Sequence, residues 1–357
     1  MNQPARIIDG DGHVFDDIAG IVRRMPGRLR ESAFVRLLGP FPQLDHLHHG
    51  AWVSLEGSFQ DPGVQGWRAF LDRAGFAAAV MFPTIALAYG RLTDPDLAIG
   101  ACQAYNDWIA EDYMAADRRL HGMALIPLQD PAAAARELER AVTRLGMKGA
   151  MLPPTGLPQL LGSSVYAPVY EVADALGCAL AVHGGAHPDL GLNHQQVFAG
   201  THALGHPFAI TIQAVDMVLH GVLDRYPSAR FGYMEGGLAW LLLMMERLPG
   251  SFTAFTPYDP QGRYVQVKDG RALRARLREY LAGGRMFVGV EGDEATLAYA
   301  IDAYGPDAFV FSSDFPHEVN EDSIREEIDE LLGNPAIDAD AKAAVLGGNA
   351  ARFYDLA

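Results

Sequence analysis

The chain has 357 residues, 49% of them hydrophobic and 20% charged, which is the balance of a globular protein with a sizeable core. Its 28 basic and 44 acidic residues leave a formal charge of −16, arguing against nucleic acid or an anionic membrane surface as a partner, since both need clustered lysine and arginine. Cys102 and Cys178 form no disulfide framework, MNQPARIIDGDG lacks a signal pattern, and no uncharged apolar stretch reaches the ~18 residues of a membrane span, so a cytoplasmic location is expected.

The first apolar run, RIIDGDGH (6–13), ends in Asp11 and His13. Residues two apart on a strand face the same side. A strand here therefore aims a carboxylate oxygen and an imidazole nitrogen at one point, which is how a divalent-metal site begins. Residues 14–76 then separate this strand from the next, and FPQLDHLHHGAWVSLEGSFQDPGVQGW within them is rich in Gly, Pro and His. An excursion of that length inside a compact domain is expected to be functional, here as a lid over the site. His46, His48 and His49 read as part of that solvated lid rather than as a second metal site.

Seven more short β-rich runs follow, at 77–84, 120–128, 148–154, 178–185, 230–237, 285–292 and 308–315. Their continuous apolar character fits parallel strands buried on both faces. Helical patterns fill most of the gaps. DPAAAARELERAVTRLG has an acidic start, an apolar stripe and a Gly stop, and SVYAPVYEVADALG repeats the device with a Ser cap. PFAITIQAVDMVLHGVLDRYP and LAWLLLMMERL are long and mostly apolar, as helices packed on a sheet should be. A second excursion, 249–282, contains the basic helix-like piece RALRARLREYL.

Eight strand–helix units predict the α/β class and a (β/α)8 TIM barrel, one domain over 1–357 with a lid insertion after strand one and a second insertion after helix six. An open doubly wound sheet is disfavoured because the first strand lacks a G-x-G-x-x-G turn. Barrel active sites lie at the carboxyl ends of strands. Asp11 and His13, His183 in AVHGG and Asp314 in SSDFPH end strands one, five and eight. Singly, each has a plainer reading: Asp-Gly forms turns, a strand-end His bonds a carbonyl, and Asp314 caps a helix. Their conjunction points instead to one divalent ion, Zn²⁺ or, with higher coordination, Mn²⁺. Asp9, inside the strand, reads as a buried structural carboxylate.

The order and spacing of IIDGDGH, LAVHGG, VLDRYPSARFGYMEGGLAWL, VGVEGDEATL, FSSDFPH and LGGNAARFY resemble the amidohydrolase superfamily. The resemblance spans nearly the whole chain. It is to the amidohydrolase-related branch that contains aminocarboxymuconate-semialdehyde decarboxylase and the resorcylate and carboxyvanillate decarboxylases. That branch holds one divalent metal with an acidic-or-His-x-His pair, a strand-five His and a strand-eight Asp. The resemblance thus implies Asp11, His13, His183 and Asp314 as ligands, with Asp314 also moving a proton. It also implies a homo-oligomer, dimer or tetramer. One departure is visible: where these decarboxylases usually carry a His after strand six, this chain has Glu235.

Glu235 remains a candidate acid or base if burial raises its pKa. His206, ahead of PFAI, is the best placed of the loop histidines His187, His194, His202 and His206. Glu291, His317 and His187 are the candidate substrate contacts; Glu291 reads equally well as a helix-starting acid, and His317 as a support for Asp314. The leading expectation is decarboxylation of a small hydroxylated aromatic or ring-cleavage carboxylic acid. Two alternatives stand beside it: a metal-dependent hydrolase cleaving a C–C, lactone or amide bond with Glu235 as acid or base, and a non-catalytic ligand-binding barrel whose metal is structural.

Overall fold

A computed structural model describes residues 6–30, 37, 55–187, 190–259 and 262–356. Nine strands run in chain order: β1 (Ile7–Val14), β2 (Phe76–Pro83), β3 (Leu120–Gly122), β4 (Ala124–Leu125), β5 (Gly149–Leu152), β6 (Ala179–His183), β7 (Arg230–Met234), β8 (Met286–Val290) and β9 (Phe309–Phe311). Every ladder is parallel, in the orders β1-β2-β3 and β4-β5-β6-β7-β8-β9. The carboxyl ends of the strands therefore share one mouth.

The expected third strand arrives as two pieces. Met123 N still donates to Met81 O of β2 at 3.0 Å. Beyond it, the backbone of Leu125 turns to the buried side chain of Asn106, which bonds its N–H at 2.8 Å and its carbonyl at 2.9 Å. A helix-borne amide thus replaces the ladder where β4 leaves β2, and β4 pairs onward to β5.

The two sheets meet along a seam between β1 and the segment after β9. Asp314 N donates to Asp11 O at 2.9 Å and His13 N to Phe315 O at 2.7 Å. Asp9 is wholly buried there and accepts from Ser313 N at 3.0 Å and Ser313 Oγ at 2.6 Å. Gly10 lets the strands approach, because a Cβ at that position would run into Val310 Cγ1. Tyr354, from the last helical turn, donates to Gly10 O at 2.6 Å. One continuous cluster of buried apolar residues extends from Ile8 to Leu356.

Helices cover the strands: α1 (Ile18–Arg24), α2 (Gly63–Ala74), α3 (Pro95–Ile109), α4 (Pro131–Leu145), α5 (Ala167–Leu176), α6 (Phe198–Leu219), α7 (Ala239–Phe255), α8 (Gly270–Ala282), α9 (Leu297–Tyr304) and α10 (Glu321–Gly333). Local chemistry sets their ends. Asp130 caps α4 by accepting from Ala133 N, and Gly146 at φ 74° stops it. Helix α6 starts at Phe198, well before the expected PFAI, so Pro207 lies inside it and His206 sits mid-helix rather than ahead of the helix. Likewise α7 continues through Pro249 to Phe255, and α8 carries the basic piece expected in the 249–282 excursion. Of the 14–76 excursion, α1, residues 55–62 and α2 are described; His46, His48, His49 and most of the expected lid lie outside the described residues. Among the described residues no helix is long and apolar enough to cross a membrane.

Candidate metal centre

Asp11 and His13 stand on β1 with essentially no exposure, and a register shift between Asp9 and Gly12 in the pairing to β2 marks the irregularity that turns them inward. His183 closes β6 and is equally buried. Its Nε2 lies 2.8 Å from Asp11 Oδ1. Metal bonds of ~2.0–2.2 Å at near-right angles set neighbouring donors ~3 Å apart, so this spacing is close to a coordination edge.

The second shell fixes which nitrogen each ring presents. His13 Nδ1 lies 2.8 Å from Pro83 O, a carbonyl that can only accept, so Nδ1 carries the proton and Nε2 is left as a donor atom for an ion. His183 Nδ1 likewise meets Gly184 O at 2.8 Å, leaving Nε2 toward Asp11. Burial keeps His13 neutral by lowering its pKa; His317 and His183 act in the same sense against Asp314. Burial pushes the Asp11 carboxyl up to about 8, with His13 opposing and Asp314 adding. A bound cation would reverse that balance.

Asp314 follows β9 at φ 55°, a left-handed conformation that few non-glycine residues adopt. Its Oδ1 lies 3.1 Å from His13 Nε2 and 2.9 Å from His317 Nδ1. Burial alone would raise this carboxyl, but His317 and His13 hold it well below the usual carboxylate range. Glu235, directly after β7, is strained in the same way at φ 62°. Its Oε2 lies 3.4 Å from His183 Nδ1 and 3.2 Å from His206 Nδ1. Gly184 leaves room for that meeting: a Cβ there would strike His206 Nδ1 and come within 2.5 Å of Glu235 Oε2.

Donor atoms of Asp11, His13 and His183 lie within 4.8 Å of one another, and so do those of His13, Glu235, Asp314 and His317. His13 joins the two groups. Asp11, His13 and His183 therefore converge from segments far apart in sequence, and Asp314 reaches them through His13. Asp11 Oδ2 is buried with no partner among the described residues, an orphaned acceptor in a place where a cation would satisfy it. Mixed carboxylate and neutral imidazole donors suit a divalent ion, so the residues present fit one.

The other expected site residues fall into three places. His206 meets Glu235, and His187 packs edge-on against His206 with ring centres 4.5 Å apart. His317 is buried with both ring nitrogens engaged, Nδ1 at Asp314 and Nε2 at Thr84 Oγ1, 3.0 Å away. Glu291 sits exposed at the rim, and its N–H donates to Glu294 Oε1 at 3.2 Å. Crowding on the protein side strips hydration from its carboxyl, and repulsion from Glu294 and Asp314 adds to that, pushing it up to about 7. His194 is exposed, and His202 lies half-exposed 3.9 Å from Glu318.

Two residues at the site escape a reading of the sequence. Thr84, wholly buried after β2, touches His317, and Asp16 accepts from the N–H groups of Thr84 at 2.9 Å and Ile85 at 2.7 Å. In the sequence they are an ordinary strand-end Thr and one acid of a pair.

A family model described as Amidohydrolase matches residues 8–356. Gamma-resorcylate decarboxylase of Polaromonas sp. (strain JS666 / ATCC BAA-500) is 26% identical over 241 residues, covering 64% of this chain and 69% of that protein. The 2-amino-3-carboxymuconate-6-semialdehyde decarboxylase of Dictyostelium discoideum is 24% identical over 279 residues, covering 76% and 71%. Among solved structures, 5-carboxyvanillate decarboxylase from Sphingomonas paucimobilis superposes with a TM-score of 0.73 at 23% identity over 99% of this chain and 100% of that one. Dihydroxybenzoic acid decarboxylase from Polaromonas sp. JS666, with bound manganese and the inhibitor 2-nitroresorcinol, gives 0.66 at 20% identity over 98% and 97%.

Proposed function

The chain belongs to the amidohydrolase family, and from that membership we propose that it is a divalent-metal-dependent carboxy-lyase acting on a small hydroxylated aromatic or ring-cleavage carboxylic acid. The observation that carries this reading is the meeting of Asp11, His13 and His183 at one buried point, with Asp314 and Glu235 gathered against the same His13. When bound, Mn²⁺ or Zn²⁺ would supply the Lewis-acid charge that holds a carboxylate with its neighbouring hydroxyl and stabilises developing negative charge.

The chain's own groups handle the proton. In this reading the Asp314 carboxylate, set beside two imidazole nitrogens, takes the proton of a substrate hydroxyl. The same oxygen then passes the proton to the ring carbon, the bond from that carbon to the carboxylate breaks, and CO₂ leaves. His317, whose Nδ1 lies 2.9 Å from Asp314 Oδ1, orients that carboxylate. Glu235 and His206 line the β7 side.

That side also narrows the substrate. Glu291 stands at the rim, and the groups that raise it beyond its lost hydration, Glu294 and Asp314 first, are all carboxylates. A second carboxylate there would be repelled, whereas a hydroxyl or amine would find acceptors. We therefore favour a monocarboxylic acid bearing hydrogen-bond donors.

Glu235 supports a second reading, a hydrolase in which it takes the proton of an attacking water next to the metal ligands. One assay separates the two. Metal-loaded protein incubated with hydroxy- and amino-substituted benzoic acids should release CO₂ in proportion to substrate lost, favour mono- over dicarboxylates, and stop on chelation. A product heavier by one water would favour the hydrolase, and undiminished turnover after metal removal would overturn both readings.

A further inference from the structure

We propose that Thr84 is a positioning residue for the metal centre, holding His317 so that its Nδ1–H aims Asp314. The inference rests on the metal reading above and concerns Thr84, which that reading leaves without a role.

The two residues at the end of β2 each hold one imidazole. Pro83 O takes His13 Nδ1 at 2.8 Å, and Thr84 Oγ1 meets His317 Nε2 at 3.0 Å. The rings so held stack with centres 4.1 Å apart and planes 27° from parallel. Each presents its remaining nitrogen to the same atom, Asp314 Oδ1, at 3.1 Å from His13 and 2.9 Å from His317. A dipeptide at one strand's end thus sets the direction of two rings and, through His317, of a carboxylate two hundred and thirty residues further along the chain.

Thr84 is itself fixed. It is wholly buried, and its N–H donates to Asp16 Oδ2, which also takes Ile85 N. Asp16 leaves β1, Thr84 leaves β2, and His317 and Asp314 follow β9, so three strand ends interlock through these bonds. The hydroxyl can donate to or accept from Nε2, so it supports the ring orientation in which Nδ1–H points at Asp314. Val in its place keeps the shape and removes what Nε2 faces. The ring is then released to turn, and Asp314 loses the N–H that aims it. Outer partners of this kind typically govern ~10–100-fold in metal affinity or activity.

The test compares Thr84→Val with Thr84→Ser. Chelator-stripped wild type and both variants are titrated with Mn²⁺ alone by calorimetry, their melting temperatures are recorded, and kcat and KM are measured on any substrate found active. Thr84→Val should melt within a few degrees of wild type, bind Mn²⁺ ~10–100-fold more weakly and lose kcat with little change in KM. Thr84→Ser should restore both. Wild-type Mn²⁺ affinity and kcat in Thr84→Val, or equal losses in both variants, would overturn the inference while leaving the metal centre standing. Wild type that binds no divalent ion would overturn the metal reading and this inference with it.

Discussion

Glu235 and Asp314 are two of the four non-glycine residues at positive φ among the described residues, and both have their carboxylates in the site. Such backbone typically costs ~1–3 kcal/mol per residue and persists only where its surroundings over-determine it. For Asp314 the surroundings are His13, His317 and the bond from its N–H to Asp11 O; for Glu235 they are His183 and His206. Their roles differ, and one substitution tells them apart. Glu235→Gln keeps the shape, so metal content measured by elemental analysis should stay near stoichiometric while kcat falls by ~10²-fold or more if the carboxylate moves a proton. An unchanged kcat would leave Glu235 as scaffolding. A residue-by-residue reading of the sequence could find such groups only where chemistry and strand end coincide. Asp11, His13, His183 and Asp314 met that condition. Thr84 did not, because a buried strand-end threonine is unremarkable until a distant imidazole is placed against it.

Elements were legible where their pattern was local. All eight expected strands exist near their expected positions, since parallel strands buried on both faces leave an unbroken apolar run. Two departures have physical causes. Strand three splits because Asn106, on α3, supplies the bonds Leu125 would have taken from a neighbouring strand, and no local pattern announces a helix reaching into a sheet. Helix α6 begins nine residues before Pro207, although proline is usually read as a helix start. The end of β6 shows how an element serves the site. Gly184 has no unusual φ, yet an added methyl would strike His206 and crowd Glu235. Gly184→Ala should therefore cut turnover sharply with only a modest fall in melting temperature. Gly333→Ala, where a Cβ meets nothing within 4 Å, should change neither. Full activity in Gly184→Ala would mean that His206 and Glu235 need not meet.

For the whole molecule, several carboxylates of a chain with charge −16 gather near Asp314: Glu291, Asp293, Glu294, Glu318 and Glu327. Glu327 on α10 is pushed up to about 8, chiefly by lost hydration and then by Glu291. A carboxyl raised in the fold keeps its proton when the unfolded chain has lost it. The folded state is thus favoured at low pH, and this contribution is lost as pH climbs from about 4.5 through about 8. Glu327→Gln removes that loss. Its melting temperature should gain on wild type between pH 5 and 8 and run parallel above that, as followed by calorimetry in constant ionic strength; a difference independent of pH would contradict the assignment. The barrel's order of strands was legible from the chain, whereas the acidic rim was not, because its members come from loops and a helix brought together only by closure.

That closure has a consequence for biosynthesis. Asp11 and His13 emerge from the ribosome about three hundred residues before Asp314 and the serine that clasps Asp9. An unfinished polypeptide lacks one wall of the cage and the fastening that shuts it. Cation capture therefore waits until the segment after β9 has been made, so that a loaded centre doubles as a certificate that synthesis has passed that point.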